Sequence, residues 1–465
     1  MTAFVGMVEY MAEWLDPALQ YIPRWLEYQM LESEQPGCVI AVVHDGRVVL
    51  ERAFGHADLV GKVPLTPRHR FRVASHSKSF TAAGVMKLRE QRKLGLDDRA
   101  GQYVQGLHPA VAEATIAQLL SHSAGIIRDG TDSGQWQDAR PFLNEAELRA
   151  DLAAAPIIEP NTRFKYSNHG YGLAGLVIEA VTREPYRGWI RREIIEPIGL
   201  DETDPDMPLA ASAPVAHGHS SKLPLGRQVV VLGDNPTNAL APATGFVSTA
   251  RDLARFFAQL DPAATGSVLS AASTREMVRP QWRYPHSTVE RYYGLGVSTS
   301  KIEEWEWFGH GGAFQGFATR TAALPNRSLA VSLATNAVDG PADLWLDGVI
   351  HILAMFARHG APKNEVRDWS RRWWTLWGAV DLVPMGDKII VAVPSLPNSF
   401  TEASEISVSD KDTGHFTAAA GTARYGESVR RVRRPDGTIS EVWFGGTRLL
   451  PEAEAAAELE SRYGR

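Results

Sequence analysis

Val73-Ala74-Ser75-His76-Ser77-Lys78-Ser79-Phe80 holds a serine and a lysine three positions apart, at the head of a helical pattern that runs to about Gln91. On a helix, positions i and i+3 share a face. Ser75 in the first turn would feel the positive end of the helix dipole, which favours a developing oxyanion. Lys78 would lie beside its hydroxyl, where an amine can help remove the serine proton. Ser298-Thr299-Ser300-Lys301 has the same spacing but follows the strand-like run Gly294–Val297. In a strand, i and i+3 point to opposite faces, so that pair could not cooperate. Ser75 is therefore the preferred nucleophile.

Outward from this helix, the apolar runs Cys38–Val43 and Val48–Ala53 are joined by His44-Asp45-Gly46, a strong hairpin signal. Before them, Met11, Leu15, Leu19, Ile22, Leu26 and Met30 fall at helical spacing between Glu9 and Leu31, with a break expected near Pro17 or Pro23. Ile116–Leu120, Glu145–Ala154, Tyr171–Val181 and Asp252–Leu260 read as helices. Strand patterns return at Gly294–Ser298, Glu306–Phe308, Gly316–Ala322 and Ser328–Thr335, and a helix follows at Ala342–Ala357. Strands from both ends would have to meet in one antiparallel sheet flanked by helices, with a helical subdomain beside it. That is an α+β pattern. Residues 358–363 read as a linker. Beyond it, Lys388–Val393, Glu405–Ser409, His415–Ala418, Ser428–Arg433 and Ile439–Phe444 look like short strands. The expected division is 1–362 for the main domain and 363–465 for a small β domain.

Two further elements bear on chemistry. In Tyr166-Ser167-Asn168, a tyrosinate near a lysine would be a credible base, its pKa lowered by the positive charge. Asn168 can donate to a substrate carbonyl and accept from Lys78. The bland alternative is a loop tyrosine with Asn168 capping the next helix. In His310-Gly311-Gly312-Ala313, two glycines on a strand let a ligand backbone approach closely and leave the Ala313 amide free for an oxyanion. The alternative there is a glycine bulge beside a surface histidine.

Taken together, the order and separation of the three elements resemble the active-site motifs of the serine β-lactamase and penicillin-binding-protein family, in its class C branch. Thr115-Ile116-Ala117-Gln118-Leu119-Leu120-Ser121-His122-Ser123-Ala124-Gly125 resembles that family's "T-I-x-x-L-L-x-H-x-S-G", and Pro197-Ile198-Gly199-Leu200 its "P-L-G-M". The likeness runs from about residue 37 to 357. It implies Ser75, Lys78 and Tyr166 as catalytic residues, with Asn168, His310, Gly311, Gly312 and Ala313 binding substrate and oxyanion. The family's usual third motif is Lys-Thr-Gly, whose lysine binds the substrate carboxylate. His310 replaces it, and histidine is only partly charged near neutrality. That resembles the branch of D-aminopeptidases, alkaline D-peptidases and esterases with a His-x-Gly motif. D-aminopeptidases carry two β domains after the catalytic one, and this chain has room for one. By the same resemblance His122 supports the site from beneath, and His76 is exposed or supports it from another helix face.

The expected function is a serine hydrolase that forms an acyl-enzyme on Ser75 and cleaves amide or peptide bonds of small substrates, D-amino-acid-containing ones among them. The alternative is a carboxylesterase, lactonase or acyl transferase with the same machinery. A true β-lactamase or a non-catalytic penicillin-binding protein fits less well. No cofactor and no metal are expected: a single cysteine, Cys38, sits in an apolar run, and His217-Gly218-His219 lacks a third ligand. A net charge of −6 without long single-sign runs argues against nucleic acid or membrane as partner. The expected partner is a small amide, peptide or ester substrate, with homo-oligomers allowed. No basic n-region with an apolar core opens the chain, which gives a cytoplasmic expectation.

Overall fold

The structure is a computed structural model that describes residues 13–223, 226–230, 235–420 and 423–464. Its contacts divide the chain into two compact units. One spans Gln35–Leu346; the other combines the segment up to Glu34 with the segment from Asp347 onward.

The unit Gln35–Leu346 is built on an antiparallel sheet of nine strands. In chain order the strands of this unit are β1 (Gly37–His44), β2 (Arg47–Asp58), β3 (Val63–Pro64), β4 (Phe71–Arg72), β5 (Val247–Ser248), β6 (Trp282–Arg283), β7 (Arg291–Tyr293), β8 (Ser298–Ile302), β9 (Trp305–Phe314), β10 (Phe317–Leu324) and β11 (Leu329–Thr335). The main sheet runs β3-β2-β1-β11-β10-β9-β8-β7-β6, and β4 pairs with β5 in a small sheet of its own. Strands from the two ends of the unit therefore meet at its centre, with Cys38 opposite Thr335 and His44 opposite Leu329. β1 is buried on both faces except at His44, as its unbroken apolar run requires. The turn after it places Asp45 at φ +48 and Gly46 at φ +73, the double positive-φ geometry of a tight hairpin.

Helix Ala250–Gln259 lies on β1, β10 and β11. Thr249 caps it, its hydroxyl accepting from the Asp252 amide at 3.2 Å, and Leu253, Phe256 and Phe257 are fully buried. Phe256 stacks on Phe80 with ring centroids 3.7 Å apart, and Phe80 stacks on Phe246 at 4.4 Å. Phe80 belongs to helix Ser77–Glu90, so this aromatic column fixes the helix that follows Ser75. Removing one such ring costs roughly 3–5 kcal/mol. Helices Ile116–Leu120, Glu145–Leu152 and Asn168–Thr182 complete a helical layer beside the sheet.

The second unit holds eight antiparallel strands in sequence order: β12 (Arg371–Thr375), β13 (Gly378–Met385), β14 (Lys388–Ala392), β15 (Ser404–Val408), β16 (Thr413–Ala418), β17 (Ser428–Arg433), β18 (Ile439–Phe444) and β19 (Thr447–Leu449). The first and last nearly close a barrel, since Trp374 and Leu450 exchange backbone hydrogen bonds of 2.8 and 2.9 Å. Helix Leu15–Glu32 belongs to this unit. It is continuous through Pro23, contrary to the expected break, because Tyr21, Ile22, Trp25 and Leu26 are buried together along one face. The Tyr21 hydroxyl donates to Asp381 at 3.1 Å, and the Gln29 amide donates to the Pro394 carbonyl at 2.6 Å. The expected Met11 position lies outside the described residues. The composition pointed to a cut at 362/363; the contacts instead assign the first helix to the β unit, through partners 360 and 365 residues away in sequence.

Candidate active site

Ser75 stands in a single 3₁₀ turn, Ala74–His76, that runs directly into helix Ser77–Glu90. The nucleophile candidate is thus on the turn feeding the α-helix rather than inside its first turn. The bend is tight: Ala74, fully buried, takes φ +45. Ser77 ties the bend down, its hydroxyl donating to the Ala74 carbonyl at 2.5 Å and accepting from the Phe246 amide at 3.0 Å. The spacing then does what it promised. Lys78 Nζ lies 3.1 Å from Ser75 Oγ. The same Nζ donates to Asn168 Oδ1 at 2.7 Å and to the Ala243 carbonyl at 2.8 Å.

Tyr166 and Asn168 arrive from the loop before helix Asn168–Thr182, whose N-cap is Ser167. The Tyr166 hydroxyl donates to Ser75 Oγ at 2.8 Å. Lys78 and Tyr166, from two distant motifs, therefore converge on the Ser75 oxygen. The charge states differ from the sequence expectation. Burial pushes the Tyr166 phenol above its ordinary value, outweighing nearby Arg128, so the resting residue is a phenol and not a tyrosinate. Burial also holds the Lys78 amine well below the usual lysine range; Asp129 opposes that shift and Arg128 adds to it.

Asp129 is a participant the sequence did not reveal. Its carboxylate accepts from Asn168 Nδ2 at 2.6 Å and from Trp136 Nε1 at 3.0 Å, and it pairs with Arg128 at 2.9 Å. It fixes which way the Asn168 amide points, so that Oδ1 faces Lys78. The Ala243 carbonyl, in the turn Ala241–Gly245, was equally invisible. Neither has a spacing signature: a lone Asp before Gly and a backbone oxygen look like any loop. His122 lies beneath Tyr166 with ring centroids 4.0 Å apart, and its Nδ1 accepts from the Ser167 amide at 3.1 Å. It supports the loop that delivers Tyr166.

The third motif lies on β9. Gly312 is the position of closest approach: a Cβ there would stand 2.2 Å from the Val73 carbonyl oxygen and 2.6 Å from Thr319 Oγ1. Only glycine lets this strand pass against the turn that carries Ser75. Ala313 is exposed, and Gly311 and Gly312 are half-buried. His310 is not a surface residue. Its Nδ1 lies 2.7 Å from the Gly311 carbonyl and its Nε2 lies 3.0 Å from the Tyr293 hydroxyl, so both nitrogens are engaged. Burial holds the ring well below the ordinary histidine value, with His76 and Lys78 adding to the shift. The partly charged side chain that the sequence suggested is a neutral one here.

The competing quartet lies on a strand. Ser298 and Lys301 lie on β8, Ser298 buried against the Tyr284 hydroxyl at 2.8 Å and Lys301 exposed. Of the two expected places for His76, the exposed one is excluded: the residue is fully buried. In the His217–His219 pair, His219 lies 2.8 Å from the Asn336 carbonyl while His217 pairs with Asp58 at 3.2 Å. Among the described residues no group of three or more His, Cys, Asp or Glu could hold a metal ion. Nor is any described helix long and apolar enough to cross a membrane.

Against known families, residues 20–351 match the β-lactamase family model. This chain belongs to the β-lactamase family. The match takes in the sheet unit and every site residue above. Among curated proteins, this β-lactamase-family chain is similar to protein flp of Staphylococcus aureus (strain N315), 29% identical over 188 residues, or 40% of this chain and 38% of that one. It thus spans less than two-fifths of that relative's length. Among solved structures it resembles the octameric penicillin-binding protein homologue from Pyrococcus abyssi, with TM-score 0.64 and 21% identity over 93% of this chain and 99% of that one. It also resembles a D-stereospecific amidohydrolase from Streptomyces sp., with TM-score 0.58 and 25% identity over 69% and 94% of the two chains.

Proposed function

We propose that this chain is a serine hydrolase that forms an acyl-enzyme on Ser75 and cleaves amide bonds of small substrates, D-amino-acid amides and peptides among them. One observation carries the reading: Ser75 Oγ lies within hydrogen-bond reach of both Lys78 Nζ, at 3.1 Å, and the Tyr166 hydroxyl, at 2.8 Å.

The hydrogen-bond inventory supports a defined set of roles. A neutral lysine amine has two N–H groups and one lone pair. Asn168 Oδ1 and the Ala243 carbonyl take the two N–H groups. The lone pair then faces the Ser75 hydroxyl, and burial favours this uncharged form. Lys78 accepts the Ser75 proton as Oγ attacks the carbonyl. The amides of Ser75 and Ala313 stabilise the tetrahedral oxyanion. As the C–N bond breaks, Tyr166 gives its proton to the departing nitrogen, and the Lys78 ammonium returns one to the Tyr166 phenolate, which restores the neutral amine and the phenol. Water then attacks the acyl-enzyme and releases the acid. An amine leaving group needs such a proton whereas an alkoxide or phenolate needs it less, so a phenol that keeps its proton at neutral pH favours the amide reading. The likeness to a D-stereospecific amidohydrolase supports the same substrate class. The likeness to an octameric homologue extends the proposal to a homo-oligomer, which light scattering after size exclusion would measure.

A fluorophosphonate probe followed by peptide mapping tests the nucleophile, with label expected on Ser75 and lost in Ser75→Ala, which keeps its fold. Label on Ser298 would sink the assignment. A panel of D- and L-aminoacyl p-nitroanilides against p-nitrophenyl esters tests the substrate class. Turnover of esters alone would overturn the amide reading.

A further inference from the structure

The mechanism above makes no use of the histidine between Ser75 and Lys78. His76 is fully buried, and burial pushes its ring down to about 3, so it is neutral at working pH. In a neutral imidazole one nitrogen donates and the other accepts. Nδ1 lies 3.0 Å from the Val73 carbonyl, which can only accept, so Nδ1 carries the proton. Nε2 then accepts from Thr321 Oγ1 at 3.0 Å, and that oxygen lies 2.9 Å from Ser332 Oγ. Thr319 Oγ1 flanks Nδ1 at 3.3 Å. The ring thus links the Ser75 turn to β10 and, through Thr321, to β11.

The Val73 carbonyl that His76 grips matters for two reasons. It also accepts from the His76 backbone amide at 3.2 Å, closing the turn around Ser75. It is the atom against which Gly312 of β9 packs. Between Val73 and Ser75, Ala74 is held at φ +45. A non-glycine residue held there is strained and persists only when its surroundings over-determine it.

We propose that His76 is a positioning residue: by clamping the Val73 carbonyl to β10 it holds the strained turn so that Ser75 Oγ stays between Lys78 and Tyr166. The inference rests on the Ser75 reading.

The experiment measures kcat, KM and the single-turnover rate of fluorophosphonate labelling for wild type, His76→Leu, His76→Asn and His76→Gln, with the labelled peptide mapped in each. Asparagine sets an amide nitrogen near the place of Nδ1, whereas glutamine sets it near Nε2. Misplacing a reacting group by about 1 Å can cost on the order of 100-fold. His76→Leu is therefore expected to lower kcat and labelling by roughly 10- to 100-fold, with KM changed by no more than about twofold. His76→Asn should recover most of that loss and His76→Gln little of it. If His76→Leu does not fold, the asparagine and glutamine variants carry the test. Label on Ser75 with a rate within about twofold of wild type in His76→Leu, or equal rates in the asparagine and glutamine variants, would overturn the positioning role alone. Label away from Ser75 in the wild type would overturn both the role and the reading beneath it.

Discussion

In the proposed mechanism Lys78 is the residue on which the chemistry turns, because its surroundings decide its charge. Its Nζ has three partners, and one of them is the group to be deprotonated. Lys78→Ala and Tyr166→Phe are each expected to lower kcat by ~10² or more, the usual range for a proton-transfer group. Their effects should not add in the double variant, because the two act on one proton path; a multiplicative double variant in steady-state kinetics would show independent roles. At His310, a neutral ring with both nitrogens engaged offers no fixed cation for a substrate carboxylate. Nitrocefin is therefore expected to show a lower kcat/KM than an aminoacyl p-nitroanilide. Nitrocefin turned over faster than the anilide would contradict that account of the motif.

Among the elements, β9 meets the Ser75 turn more closely than a side chain allows. Gly312→Ala would bring a Cβ to 2.2 Å from a backbone oxygen, which cannot swing aside. The expected result is a Tm drop together with a fall in kcat of about tenfold or more, since the strand that carries the proposed oxyanion amide must retreat. The change is read by calorimetry and steady-state kinetics. Much of this element level was legible beforehand. The hairpin at Asp45-Gly46, the Ser75 helix and the meeting of both ends of the sheet follow from period-2 and period-3.6 patterns and from turn chemistry, which are local. Strands β12, β13 and β19 and the terminal helix Glu452–Tyr463 were not foreseen. Arg371-Arg372-Trp373-Trp374 puts arginines where a strand pattern needs alternation; Arg372 pairs with Asp381 on the neighbouring strand, and Arg371 donates to the Ile439 carbonyl 68 residues away, a partner no local window contains. The same holds within the site: Ser75 and Lys78 share one turn of chain and could be read, whereas Asp129 reaches Lys78 only through Asn168, 39 residues along.

At the scale of the molecule, three buried histidines, His76, His122 and His310, are held neutral well below their ordinary value, mainly by burial. The unfolded chain protonates them near pH 6.5 and the folded chain does not, so the unfolded state binds more protons below that value. Stability should therefore fall as pH drops below about 6.5, by up to about 1.4 kcal/mol per pH unit for each histidine. Urea unfolding at pH 7 and pH 5 measures it, and equal stabilities at the two values would count against buried neutral rings. The two-unit division makes a separate prediction. Helix Leu15–Glu32 buries its apolar face with the β unit. A fragment of residues 1–362 keeps that helix but loses β12 to β19, and it is expected to bind a hydrophobic dye and to aggregate on size exclusion.

The meeting of β1 and β11 at the centre of the sheet has a consequence for how the chain is threaded. Cys38 faces Thr335 in register, and Gln35 Nε2 reaches the Asp339 carbonyl at 3.4 Å. The polypeptide thus enters and leaves the Gln35–Leu346 body through adjoining doors. In sequence that body is an insert, set between a helix and a barrel that belong to each other. Its strand order has the same property: a short linker joining the segments at Gln35 and Asp339 would make the sheet a closed loop, and new ends cut at the Asp45-Gly46 bend would leave every strand with its neighbours.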